Sequence, residues 1–168
     1  NMTLGALLEI VGDERYLLEE LSKLRLDGYK IEILKKEKNG ITGTYVDVIL
    51  EHHHEKNYYE HRNIQEIYKI IDNSGINEKS KKLAKNIFMR LAKAEAKVHN
   101  KKIEEVHFHE IGAIDSIIDI VGTAILIERI NPDEIISSIV NDGYGFVECA
   151  HGTISVPVPA TSEIFANS

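Results

Sequence analysis

Apolar residues recur at helical spacing from the start of the chain, at Leu4, Leu7, Leu8 and Val11, which predicts an opening helix. Gly12 and Asp13 break that pattern. Asp13 can cap a second helix, with Tyr16, Leu17, Leu21 and Leu24 as its stripe. Strict alternation then replaces the helical period. Tyr29, Ile31 and Ile33, and later Val46, Val48 and Leu50, read as two half-buried strands joined by a tight turn at Asn39-Gly40. Asn63 with Glu66 three residues on is a capping box, and Ile64, Ile67, Tyr68 and Ile71 give its helix a core face. Asn77 caps the longest helix, 78–99, whose stripe reads Leu83, Ile87, Leu91, Ala94 and Val98. A further helix from about Ala113 presents Ile114, Ile117, Ile118, Val121, Ala124 and Ile125. Asn131-Pro132 stops it. Residues 134–140 then predict a strand, 143–148 a glycine-interrupted strand, and 153–158 a short edge or extended segment ending in prolines. Pro159 opens a last helical pattern. The expected class is α+β: helices packed on a small, mainly antiparallel sheet, with a mobile His-rich loop at 51–62.

The densest chemistry lies at 107–119, where His107, His109, Glu110, Asp115 and Asp119 fall within thirteen residues between apolar flanks. In an extended segment, residues two apart point to one side, roughly 6–7 Å along the strand. His107 and His109 can then share a space while Phe108 faces the core. Asp115 and Asp119 are four apart, with Cβ atoms roughly 5–6 Å apart if both are helical. Two aspartates on a mostly buried helix are costly unless paired, hydrogen-bonded or bound to a cation. The plainer alternative makes Asp115 an N-cap and Asp119 a solvated helix residue. A metal-binding or acid–base cluster accounts better for the two histidines and the glutamate just upstream.

The other histidines extend this picture. His52, His53, His54 and His61 lie in one polar stretch, and adjacent imidazoles can chelate a divalent first-row cation even when mobile. His99 closes the longest helix, where the dipole favours a cation, and it lies close enough in sequence to His107 to share its site. His151 precedes Gly152 beside the last strand and on its own reads as structural.

Composition narrows the partners. The chain has 168 residues, 43% hydrophobic and 28% charged, with a net charge of −7. That is ordinary for a soluble globular protein and unfavourable for a nucleic-acid binder. No apolar run reaches membrane-spanning length. The single Cys149 excludes an internal disulfide and a multi-cysteine zinc site, and fits a reducing cytoplasm. Eight histidines against one cysteine point any metal to imidazole and carboxylate. Both ends read as cut from something longer, so residues 1–168 are expected to be one domain of a larger protein.

Several motifs together carry a family resemblance: Met2-Thr3-Leu4-Gly5-Ala6-Leu7-Leu8, Asn39-Gly40-Ile41-Thr42-Gly43-Thr44, the histidine run ending in His61-Arg62, the stretch from Val106 to Gly122, and His151-Gly152 with Pro157-Val158-Pro159-Ala160-Thr161. In order and over nearly the whole chain, they resemble the nickel-insertion proteins that complete the nickel-pincer nucleotide cofactor of lactate racemase. The resemblance implies a CTP-dependent cyclometallase of the lyase class. Its substrate is pyridinium-3,5-bisthiocarboxylic acid mononucleotide, to which nickel becomes bound through sulfur and carbon. Ni(II) is the inserted metal, and Mn(II) or Mg(II) accompanies CTP in the full-length protein. The resemblance also implies that this chain is the N-terminal, metal-binding part, that the nucleotide-binding domain is absent, and that the fragment alone is inactive. Lactate racemase apoprotein is a candidate partner, and a homo-oligomer is open.

On chemical grounds His107, His109, Glu110, Asp115 and Asp119 form the expected central site, with His99 and His151 as further metal candidates. His52, His53, His54 and His61 would collect and deliver nickel. Forming a nickel–carbon bond requires a base for the departing ring proton, for which Asp115, Asp119 or a non-ligating histidine are candidates. Arg62, Lys101 and Lys102 are the nearest cations for a substrate phosphate. Two other functions fit the residues: a non-enzymatic nickel storage or delivery module, and a metal-dependent hydrolase.

Overall fold

Local signals set most helix starts. The computed structural model describes residues 2–50, 62–108, 113–149 and 152–167. Its helices are α1 (Met2–Val11), α2 (Glu14–Ser22), α3 (Ile64–Asn73), α4 (Glu78–Val98), α5 (Ile114–Ile130) and α6 (Pro159–Ala166). Asp13 accepts the Tyr16 N–H at the head of α2, and Asn77 accepts the Ser80 N–H at the head of α4. Each satisfies one of the donors that a helix start leaves over. Pro159 occupies the first turn of α6, where its missing N–H costs nothing. Asn131 ends α5 in the left-handed conformation, at φ 47°.

The strands are β1 (Tyr29–Lys38), β2 (Ile41–Leu50), β3 (Arg62–Asn63), β4 (His107–Phe108), β5 (Gly145–Cys149) and β6 (Gly152–Val156). They pair antiparallel as three separate two-stranded ladders, β1–β2, β3–β4 and β5–β6. The β1–β2 ribbon runs in register from Tyr29 opposite Leu50 to Lys38 opposite Ile41. Its two turn residues, Asn39 and Gly40, both have positive φ, 54° and 77°. That is the turn whose twist matches the flanking strands.

Helix α5 is the centre of the packing, and it touches α1, α2, α4 and β2. Ile117, Ile118, Val121, Ala124, Ile125 and Leu126 are fully buried along it. Each buried aliphatic side chain contributes about 1.5–3 kcal/mol of transfer free energy. Two glycines set how closely the layers approach. A Cβ on Gly5 would stand 2.2 Å from the Thr44 carbonyl oxygen, so α1 lies directly on β2. A Cβ on Gly122 would meet Leu4 Cδ1 at 3.0 Å.

The fold is α+β, as expected, with three departures in detail. The strands do not merge into one sheet among the described residues. Residues 134–140 form no strand. They are irregular and solvent-exposed, with Ile139 97% and Ile136 80% accessible. Strand propensity alone does not make a strand there, because no ladder among the described residues includes 134–140 to satisfy its backbone hydrogen bonds. The buried stripe of α4 is also rotated from the expected one. It runs Ala84, Phe88, Ala92 and Ala96, with Ala94 buried as expected, while Leu83, Ile87 and Leu91 flank it half-buried and Val98 is exposed. Small alanines on the contact face let α4 lie close to α5, and the larger aliphatics close the seam from the sides.

Candidate functional site

The short β3–β4 ladder joins the two histidine-bearing stretches. Arg62 stands opposite Phe108 and Asn63 opposite His107. Arg62 is the first described residue after 51–61, and β4 precedes His109 and Glu110 in sequence. Two local devices hold the ladder. Phe108 and Val106 are buried in the core, which anchors β4. On the other strand, Asn63 Oδ1 accepts the Glu66 N–H at 3.0 Å, and the Asn63 N–H donates to Glu66 Oε2 at 2.7 Å. This reciprocal pair closes the capping box and fixes the turn from β3 into α3.

The carboxylates follow on α5. Its N-cap is Ala113, not Asp115, and no side chain caps it among the described residues. Asp115 lies in the first turn, exposed, with Oδ1 accepting the Ser116 N–H at 2.7 Å. Negative charge is favoured there by the helix dipole. Asp119 sits one turn further along, half-buried, with its Oδ1 enclosed by protein. The expected four-residue spacing on one helix therefore holds, with the two carboxylates in different surroundings. Phe108 faces the core, as the alternation required.

His99 caps the C-terminal end of α4, with Nε2 3.4 Å from Glu95 Oε2. Lys101 and Lys102 are exposed beyond it, and Arg62 is half-buried in β3. The expectations for His52, His53, His54, His61, His109, Glu110 and His151, and for the side chain of His107, lie outside the described residues. Among the described residues, no three His, Cys, Asp or Glu side chains are grouped to hold a metal ion. A separate basic row, Arg90, Lys93 and Lys97 on α4, has a spacing legible in the sequence. Its concave setting against α6 is not.

The frame is α+β, with the β3–β4 ladder pairing residues 62–63 with residues 107–108 beside a core centred on α5. The chain belongs to the nickel insertion protein family, whose sequence profile it matches over residues 1–168. Among its relatives, the pyridinium-3,5-bisthiocarboxylic acid mononucleotide nickel insertion protein of Acetivibrio thermocellus is 49% identical over 100% of this chain and 42% of its own length. Proteins of the same name from Clostridium acetobutylicum and Clostridium kluyveri are 47% and 49% identical, each over 99% of this chain. The match covers 47% and 44% of those two proteins. The chain thus spans less than half the length of these relatives. No solved structure shows significant similarity to it.

Proposed function

We propose that this chain is the metal-binding N-terminal domain of an enzyme that inserts nickel into pyridinium-3,5-bisthiocarboxylic acid mononucleotide. One observation supports the reading: β3, which follows the 51–61 histidine stretch in sequence, pairs with β4, which precedes His109 and Glu110 in sequence. The relatives' names supply the metal and the acceptor. Neutral imidazole is a good ligand for nickel, so His52, His53, His54 and His61 can gather the ion, and His107 and His109 with Glu110 can receive it. His99 and His151 are candidates for the outer edge of that site.

Making the nickel–carbon bond displaces a proton from the pyridinium ring carbon. A carboxylate is the base this chain can offer. Asp119 is the better placed of the two, being partly withdrawn from water one helical turn in from the solvated Asp115. CTP hydrolysis with Mn(II) or Mg(II) belongs to the same proposal, and oxygen donors such as Asp115 suit so hard a cation. The remaining parts of the proposal are a cytoplasmic location, a homo-oligomeric assembly, and delivery of the finished cofactor to lactate racemase apoprotein. No helix among the described residues is long and apolar enough to cross a membrane.

Nickel titration by calorimetry tests the ligand set. Binding should weaken as pH falls through about 6.5, because protonated imidazole cannot ligate. Equal affinity on both sides of that value would remove the histidines from the site. Turnover is tested on the longer protein supplied with CTP and the thiocarboxylated nucleotide. An Asp119→Asn variant should keep its nickel and lose product formation.

A further inference from the structure

The run 135–147 carries more exposed apolar surface than any other described stretch of its length. Ile135, Ile136, Ile139, Val140, Tyr144 and Phe146 all face water, Tyr144 with 96% of its surface. So many large apolar side chains in one stretch mark an interaction surface. The run leads into β5, which pairs with β6 alone among the described residues. Neither strand packs extensively on any other described element. A two-stranded hairpin with nothing laid against it is marginal in water, and its outer edges are templates for a further strand. The β1–β2 ribbon is also two-stranded but is guarded differently. It lies against α1, and Lys30, Lys35, Lys36 and Lys38 line β1. Lysines on an edge discourage further pairing. No lysine or arginine follows Arg129 in the sequence, and neither β5 nor β6 contains a proline. The charges around the run are those of Asp133, Glu134, Asp142 and Glu148.

We infer that the run 135–147 and the β5–β6 hairpin are an intramolecular docking surface, covered by an extended segment from the remaining part of the longer protein. That segment adds a strand to the hairpin edge, and main-chain hydrogen bonds hold it there. Its apolar side chains meet the Ile, Val, Tyr and Phe of the run, and its basic flanks face the surrounding carboxylates. Length argues for this occupant. The relatives are more than twice as long as the region they share with this chain, so most of such a protein lies outside these residues. A second copy of the chain fits less well, because it would set the same carboxylates against each other. The inference rests on the reading of this chain as one domain of a longer protein.

Amide hydrogen exchange on the longer protein tests it. The amides of 135–140 should exchange at least about a hundredfold more slowly than those of an unstructured peptide, because they are exposed only by local opening. Exchange at the unstructured rate would overturn the inference. Protection that grows with protein concentration would assign the surface to a second copy and overturn the intramolecular occupant. Variants of the longer protein give a second measurement. Ile139→Asp and Phe146→Asp should each lower the melting temperature by several degrees, since each would bury an unpaired carboxylate. Ile41→Asp, at a position 76% exposed on the β1–β2 ribbon, should leave it unchanged. Equal melting of all three variants and the wild type would also overturn the inference. Nickel insertion by the same protein separates the two proposals. Turnover with 135–140 unprotected removes the docking surface alone, and protection without turnover removes the nickel-insertion reading alone.

Discussion

Gly5 shows how one missing side chain can set a distance between layers. The Thr44 carbonyl oxygen occupies the place where a Cβ would stand, at 2.2 Å, and backbone on both sides leaves little room to yield. Gly5→Ala should therefore cost about 1–3 kcal/mol through overpacking, read as a lower denaturant midpoint. An unchanged midpoint would show that α1 can lift from β2 freely. Nearby, Glu9 Oε1 accepts from Lys35 Nζ at 2.8 Å and Oε2 accepts the Thr44 N–H at 3.3 Å. The Lys35 hydrogen bond chiefly, with the Thr44 N–H, holds the Glu9 carboxyl below its ordinary value of 4.5. A carboxyl lowered on folding adds stability above its unfolded value, and that stability is lost as pH falls through the folded value. Glu9→Gln should accordingly flatten the decline of stability between about pH 5 and pH 3. Both groups are exposed, so the effect is small, and denaturation at the two pH values measures it.

At the scale of elements, α4 carries the clearest lesson. Reading large aliphatics as the buried face places Leu83, Ile87, Leu91 and Val98 inward, but the contact face is Ala84, Phe88 and Ala92. Alanine is a weak signal in a hydrophobic pattern, and only the closeness of α5 gives it meaning. The rotation is testable by comparing two truncations. Phe88→Ala should cost about 3–5 kcal/mol by opening a cavity in the core. Val98→Ala, at an exposed position, should stay within about 1 kcal/mol. Similar losses from both would return the stripe to its expected setting. The 134–140 segment teaches the converse. Its Ile and Val run has strand character, yet a strand exists only where a partner edge supplies its hydrogen bonds.

For the whole molecule, the proposal separates a collecting stretch from a folded frame. Changing His52, His53 and His54 to Ala should lower nickel stoichiometry and leave the melting temperature unchanged. A large drop in melting temperature would make the stretch structural and end its role as a carrier. The frame itself is built around α5, which bears Asp115 and Asp119 near one end and packs on α1, α2 and α4 along its length.

Much of this was readable from residue order alone. Asp13, Asn63 with Glu66, Asn77 and Asn39-Gly40 act within a few residues of themselves, so their caps and turn follow from local chemistry wherever the chain goes. The apolar face of α5 was legible for a related reason: so many branched aliphatics at helical spacing can only be buried. The imidazole and carboxylate inventory, and with it the family, was likewise present in the linear motif. Long-range pairing was not. No local rule places Arg62 against Phe108, rotates α4 onto its alanines, or leaves 134–140 outside the ladders of the described residues. Each depends on which surfaces are brought together across the fold, where backbone hydrogen bonds and close packing, rather than propensity, choose the outcome.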